Sequence, residues 1–310
     1  MLLCIESSFG LAGRADWRTK IVESSNCVIC GGSIRKLKRA LVAPFVARRI
    51  WQRAPFCVDL VKCKNCEFTF YNPRLDDADL RALYANYRSD EYQQMRHAFE
   101  PWYSVKFNAD LASPASYQLR RSKLAPILLQ FANQRKINRI LDYGGDRGDL
   151  VAGLIDGAES FVYDISGVPA AAGVTATTDP AGCKADLIVN SNVLEHVGFP
   201  RQLVDEMIQA APAGSLIFLE VPCESPFGLT RIARRLAQIA VTALLRPSLA
   251  RHVFVPATLY MMHEHINYFT ERSLTALMRS CGAEVIVFGS YSATGRAGSS
   301  QMAWCLGSRV

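Results

Sequence analysis

Short apolar runs recur through the middle of this chain, at Arg139 to Tyr143, Ser160 to Tyr163, Val174 to Thr177, Asp186 to Asn190 and Ser215 to Val221. Runs of this length, bounded by glycine, proline and polar clusters, predict strands buried on both faces, and the spacing predicts helices between most of them. Alternation of that kind belongs to a parallel sheet covered on both sides. Near the end the pattern changes. Glu284 to Phe288 and Gln301 to Leu306 are separated by a glycine- and serine-containing loop with no room for a helix, so this last pair is expected to be antiparallel.

Upstream the period is helical. Leu75-Asp76-Asp77 has the composition of an N-terminal cap, and Leu80, Leu83 and Tyr84 follow at helical spacing. Tyr84, Tyr87, Tyr92 and Tyr103 make this region aromatic; the reading favoured is a stripe packed against the main domain, over residues closing on a ligand. A longer amphipathic helix is predicted at roughly Ala115 to Ala132. Between the fifth strand and His263, Leu229, Ile232, Ala233, Leu236, Ile239, Ala240 and Leu244 share one helical face. This insert is expected to pack or to act as a lid, in preference to lying on a membrane. The division predicted is an arm at 1–26, a cysteine module at 27–72, a helical linker or cap at 73–135 and a sheet domain at 136–310 with the insert at 226–258.

The first core strand runs into Asp142-Tyr143-Gly144-Gly145-Asp146-Arg147-Gly148, a glycine-rich turn expected to open a helix. Glycine tolerates positive φ and lets backbone lie flat against a ligand. About twenty residues on, the run Phe161-Val162-Tyr163 ends in Asp164, a carboxylate placed to accept ribose hydroxyls. The pair points to an adenosine-type ligand. Cys27-x-x-Cys30 is answered by Cys63-x-x-Cys66. Each pair makes a tight knuckle of two thiolates, and two knuckles complete the tetrahedral shell that zinc prefers. Two disulfides or buried free thiols are the other readings, and Cys57 is a weaker fifth candidate.

Composition narrows the field. The chain has 310 residues, half of them hydrophobic, which suffices for a large α/β domain plus a smaller unit. The ten cysteines sit behind an N-terminus without a basic segment and sustained apolar core, so a reducing, cytoplasmic setting is expected. No uninterrupted apolar stretch reaches the roughly twenty residues that span a bilayer. The net charge of +7 is concentrated at Arg35 to Arg53 and at Arg231 to Arg251. Solvated helix faces are favoured there over phosphate or membrane contacts.

With these features the sequence resembles the class I S-adenosylmethionine-dependent methyltransferases, in the branch of zinc-containing sugar C-methyltransferases. The resemblance covers Cys27 to Leu306 and rests on Leu141-Asp142-x-Gly144 with Gly148, on Asp164, on Asp186-Leu187-Ile188-Val189 leading to Asn192-Val193-Leu194-Glu195-His196-Val197, on Ala213-Gly214-Ser215 before a strand ending Glu220-Val221-Pro222, and on His263-Glu264-His265-x-x-Tyr268-Phe269. It implies a doubly wound seven-stranded sheet with an antiparallel final hairpin, plus the four-cysteine module as a structural zinc site. Asp142, Gly144, Gly145, Gly148, Asp164 and Asn192 would line the cofactor, with Asp179 toward adenine. His265, oriented by Glu264, is implied as the base, with His263 second; a metal held by His263 and His265 is the minor reading. The substrate implied is a small sugar-containing metabolite. Asp146 stands where the family's third glycine usually does, Met262 replaces a tyrosine, and the sequence ends after the last core strand, where those relatives carry a further domain. The rival from another class is a catalytically silent zinc-binding interaction protein on the same scaffold. Nucleic-acid methylation is weaker, because basic residues interleaved with aromatics and the Asn/Asp-Pro-Pro-Tyr signature are both missing. A nicotinamide dehydrogenase is disfavoured by the incomplete G-x-G-x-x-G spacing.

Overall fold

A computed structural model describes residues 22–87, 89–111, 114–132, 135–249, 256–295 and 298–310. Most of the predicted N-terminal arm, residues 1–21, lies outside them. The N-terminal part contains β1 (Ile34–Leu41), α1 (Pro44–Trp51), β2 (Cys57–Cys63) and β3 (Thr69–Asn72), followed by α2 (Asp77–Tyr84), α3 (Asp90–Phe99), α4 (Val105–Leu111) and α5 (Pro114–Ala132). Then come β4 (Arg139–Tyr143), β5 (Glu159–Tyr163), β6 (Val174–Ala176), β7 (Leu187–Ser191), α6 (Pro200–Ala210), β8 (Leu216–Pro222) and α7 (Leu229–Leu245). The chain closes with β9 (Asn267–Tyr268), α8 (Glu271–Ser280), β10 (Ala283–Gly295) and β11 (Gly298–Arg309).

Seven strands form the main sheet in the order β10-β11-β8-β7-β4-β5-β6. The five from β4 to β8 are parallel, while β11 runs antiparallel to both β8 and β10. The expected seven-stranded sheet with its antiparallel final hairpin is therefore present. Strand side chains alternate between faces, and both faces are covered. On β8, Leu216 and Phe218 join Leu124 and Leu128 of α5. Their neighbours Ile217, Leu219 and Val221 join Val204 and Met207 of α6 and Leu274, Leu277 and Met278 of α8. Each of these side chains adds about 1.5–3 kcal/mol by leaving water, so the apolar run of β8 is anchored from two directions.

The expected helices between strands are mostly replaced by turns. Among the described residues only α6 joins two of the parallel strands, and the glycine turn after β4 opens no helix. The cause is local. Gly148, Gly153 and Gly157 all take positive φ, at +76°, +58° and +77°, and a left-handed residue ends an α-helix. Gly167 and Gly173 do the same between β5 and β6. By contrast α2 starts where its cap predicted: Asp76 accepts from the Asp79 amide while Asp79 accepts from the Asp76 amide.

The cysteine module is built into the main body. Its strands form a second sheet, β1-β2-β3-β9, whose last member comes from the far side of the α7 insert. Phe68 stacks obliquely on Phe269 at 4.8 Å between ring centroids. The buried Arg74 donates to the carbonyls of Tyr71, Val197 and Gly198 and to Asn267 Oδ1. Cys27, Cys63 and Cys66 share one apolar core with Leu141 and Ile188 of the main sheet.

The insert departs from expectation. The inner side of α7 is held by Arg231, Arg235 and Thr242, whereas Leu229 and Leu244 on the predicted packing face are 84% and 80% exposed. Most of that apolar face looks outward, while Ile232 and Ile239 are half-buried and Ile239 packs against the core.

Candidate functional site

Strand β4 is flanked by β5 on one side and β7 on the other, so chain order reverses at this point and leaves a crevice beyond the strand ends. The glycine turn lines it. Gly144, at φ +80°, donates its amide to Tyr163 O at 2.7 Å. A Cβ there would lie 2.7 Å from Val193, and one on Gly145 would fall inside the Asp142 carboxylate. At Gly148 it would meet Val174 at 2.7 Å. Asp146 adopts the same left-handed backbone, at φ +57°, and its amide donates to Asp164 Oδ2 at 2.8 Å. Asp164 Oδ1 accepts from the Ser166 amide at 2.7 Å. Asp164 is thus fixed at the rim with lone pairs to spare, half-buried.

Behind that rim several buried polar atoms have no partner: Asp142 Oδ2, Asn190 Oδ1, Asn192 Oδ1 and Arg120 Nε. Orphaned buried groups are uncommon because each costs about 1–3 kcal/mol. Burial pushes Asp142 up to about 7, against the opposing charge of Arg120. Arg120, from α5, donates to Ser191 Oγ at 2.7 Å. Ser191 and Tyr291 in turn donate to the buried carboxylate of Glu220. Three acceptors and one cationic donor left open at a switch point suit a ligand that carries an ammonium, hydroxyls and a carboxylate. S-adenosylmethionine has all three. Asp179 stands apart: it is exposed, and its carboxylate closes its own turn on the Gly182 amide.

Next to the crevice a second group of side chains converges from four places in the sequence. Glu195 and His196 follow β7, Glu224 follows β8, His265 precedes β9, and Tyr84 ends α2. His265 Nδ1 meets Glu224 Oε2 at 3.2 Å, which leaves Nε2 without a hydrogen bond among the described residues. His196 Nδ1 meets Tyr84 Oη at 2.9 Å and Glu264 O at 3.1 Å. The two imidazoles stand edge to face at 4.7 Å. Glu195, fully buried, has Oε1 3.8 Å from His196 Nε2 and no partner for Oε2. Burial pushes Glu195 up to about 7, against His265, and pushes His196 down to about 3, with His265 adding to the effect. Glu195, His196 and His265 lie close enough to share a metal ion. The pair considered from sequence, His263 with His265, does not converge in this way.

Two implied roles change hands. Glu264 does not orient His265; its Oε1 accepts from Tyr92 at 2.7 Å and from Arg96 at 2.8 Å. Burial would raise Glu264, but Arg96 and His263 hold it at about 2. The orienting carboxylate is Glu224. Burial opposes it too, and the His265 bond and charge together with Arg231, 2.5 Å away, hold it at about 2. His263 has both nitrogens engaged, Nε2 with Glu100 and Nδ1 accepting from the Glu264 amide at 2.8 Å, so it braces the segment. Glu224, Glu195, Arg120 and Glu220 were missed from sequence. The only signal for them was position at the C-terminal ends of strands or, for Arg120, on the helix leading into the first one.

The four cysteines meet as their spacing predicts. Their sulfurs all lie within 4.8 Å of one another, and all are free thiols. Cys27 Sγ is 3.6 Å from Cys66 Sγ, and Cys30 Sγ is 3.5 Å from Cys63 Sγ. The turn from Cys27 to Gly32 closes through a 2.8 Å backbone bond, with Gly31 at φ +71°. Amides of Asn65 and Cys66 point at Cys63 Sγ. The Cys66 thiol bond pulls Cys27 down to about 5, against burial. Four enclosed sulfur donors within reach of one another fit zinc.

Residues 117–287, more than half of the chain, match a family model described as a methyltransferase domain. A comparison with curated proteins finds no match. Among solved structures, magnesium protoporphyrin IX methyltransferase from Synechocystis PCC 6803 with bound SAH aligns at 15% identity and TM-score 0.45, over 74% of this chain and 99% of that one. The N-methyltransferase NodS from Bradyrhizobium japonicum WM9 aligns at 13% identity and TM-score 0.37, over 62% and 97%. A sarcosine dimethylglycine methyltransferase from Galdieria sulphuraria, described as putative, gives 13% and 0.39, over 62% and 86%.

Proposed function

The chain belongs to the methyltransferase-domain family, and from that premise we propose that it moves the methyl group of S-adenosylmethionine to a small, sugar-containing metabolite. The observation behind the cofactor is the set of open buried groups at the switch point, Asp142, Asn190, Asn192 and Arg120, set beside the glycine turn and Asp164. Asp142 and Asn192 would take the amino group, Arg120 the carboxylate and Asp164 the ribose.

S-adenosylmethionine, when bound, supplies a methyl already activated by its sulfonium. What remains for the protein is to align the acceptor and to remove its proton. His265 is the group assigned here to the second task. Its Nδ1–H is held by Glu224, which fixes the tautomer and leaves a lone pair on Nε2. Nε2 would take the acceptor's proton and Glu224 would stabilise the imidazolium that results, while the cofactor would supply the methyl and leave as its demethylated product, its sulfur keeping the electron pair of the broken carbon–sulfur bond. His196, tied by Tyr84 and the Glu264 carbonyl, positions the acceptor from the other side. The sugar rests on the resemblance in His263-Glu264-His265-x-x-Tyr268-Phe269.

The four cysteines would hold one structural zinc. Calorimetric titration tests the cofactor reading. Both S-adenosylmethionine and its demethylated product are expected to bind, with affinity falling roughly tenfold or more in Asp164→Ala, since hydrogen bonds to a charged group contribute about 1.5–3 kcal/mol. Absence of heat with either ligand would refute the assignment.

A further inference from the structure

Six of the exposed large hydrophobic side chains gather on one element: Phe227, Leu229, Leu236, Val241, Leu244 and Leu245 on and just before α7. On a helical projection the exposed half of α7 also takes in Ala233, Ala237 and Ala240, and its only polar members are Thr230 and Arg234. Such a face is normally turned inward. Here it cannot be, because the opposite side is fastened to the body. Arg231 bonds Glu224 at 2.5 Å and Tyr268 Oη at 2.7 Å, and Thr242 is buried.

We propose that this face of α7 seats on an anionic lipid surface, the helix lying flat in the interface. Charge selects this occupant. From Ser225 to His263 the sequence contains no aspartate or glutamate, while Arg231, Arg234, Arg235, Arg246 and Arg251 fall in it. Arg231 is engaged inward, so Arg234 beside the face and Arg246 at the helix end are the arginines offered to a partner. A second copy docked through the same face would bring arginine toward arginine with no carboxylate between them. Lipid phosphates supply the missing negative charge, and the leucines enter the acyl boundary. No helix of the described residues is long and apolar enough to cross a membrane. A cytoplasmic enzyme would meet such a surface on the inner leaflet, which carries the anionic lipids.

The test is co-sedimentation of the full chain with vesicles of phosphatidylglycerol and phosphatidylcholine, against vesicles of phosphatidylcholine alone. Two arginines near the surface are expected to favour the anionic vesicles by roughly thirtyfold, with loss of the preference at high salt. Leu236→Glu with Leu244→Glu removes binding, and Arg234→Glu removes the preference. All three side chains are exposed, and titration with the demethylated cofactor verifies that each variant keeps its crevice. Equal partition onto neutral and anionic vesicles overturns the proposal. So does binding to neither, or a dimer in sedimentation velocity that Leu244→Glu dissolves. Because lipid binding is read without methyl transfer, its failure leaves the enzymatic reading intact.

Discussion

The four-cysteine cluster and the switch-point crevice are both buried polar sites, yet they are finished to different degrees. At the cysteines every donor faces another donor of the same set, and backbone amides close the turn around them. At the crevice Asp142 Oδ2, Asn190 Oδ1, Asn192 Oδ1 and Arg120 Nε have no partner, and neither does Glu195 Oε2 beside it. On the function proposed, the contrast is that between a site made to hold the fold together and one made to receive something that comes and goes. Unsatisfied polar atoms lower the stability of the protein without its ligand, and that loss is recovered when the right groups enter.

The largest effect that would sharpen this contrast is removal of the metal. Zinc held by four thiolates couples on the order of 10 kcal/mol to the folding of small modules. Here Cys27, Cys63 and Cys66 share the apolar core of the main sheet, so loss is expected to spread. Cys63→Ser, or a chelator, should lower the melting temperature of the whole chain by more than roughly 10 °C, as one transition. Metal analysis of protein purified without chelator should give about one equivalent. Were the metal stripped with no change in melting, the cluster would not be the structural half of the comparison.

Next in size is the glycine turn. In Gly144→Ala the new Cβ meets Val193 at 2.7 Å on a backbone held at φ +80°. Strain of about 1–3 kcal/mol should appear as weaker cofactor binding, by roughly tenfold or more on titration. Gly157→Ala is the control: φ is +77°, but nothing lies within 4 Å of the new atom. It should cost some stability and leave binding alone. Equal loss of binding in both variants would mean that backbone strain anywhere disturbs the crevice, and the turn would lose its special role.

How much of each site was legible in the sequence follows from how it is built. Each knuckle is local, so the spacing of Cys27 with Cys30 and of Cys63 with Cys66 announced it. The Asp76 cap and the turn at Gly144 are local too. The pair of His265 with Glu224 joins residues across the α7 insert, whereas the family resemblance implied Glu264. Glu264 precedes His265 directly, but its carboxylate meets Tyr92 and Arg96 of α3. The helix expected after β4 is interrupted by Gly148, Gly153 and Gly157, all at positive φ, a feature that apolar content does not register. The amphipathic period of α7 was right, but a period does not say which side meets the body; Arg231 and Thr242 decided that.

The smallest of these effects, and the one closest to the chemistry, concerns Glu224. Burial would lower the pKa of His265 from its ordinary 6.5, but the Glu224 bond and charge raise it instead. Methyl transfer that needs a neutral His265 should therefore rise with pH through a midpoint above 6.5. In Glu224→Gln the charge is gone while a hydrogen-bond acceptor remains, so the midpoint should fall, with a lower plateau because the base is weaker. Stability supplies an independent readout. A histidine whose folded pKa is raised stabilises fully below its unfolded value of 6.5 and loses that contribution as pH rises through the folded value. Glu224, held at about 2, contributes above its unfolded 4.5 and loses this as pH falls toward 2. The difference in stability between the native protein and Glu224→Gln should thus be greatest between pH 4.5 and 6.5 and narrow on both sides. A rate profile that keeps its midpoint while the stability difference follows this window would leave Glu224 as a structural partner of His265 and move the base elsewhere. Glu195, pushed up to about 7 and with Oε2 unpartnered, would then be the group to test.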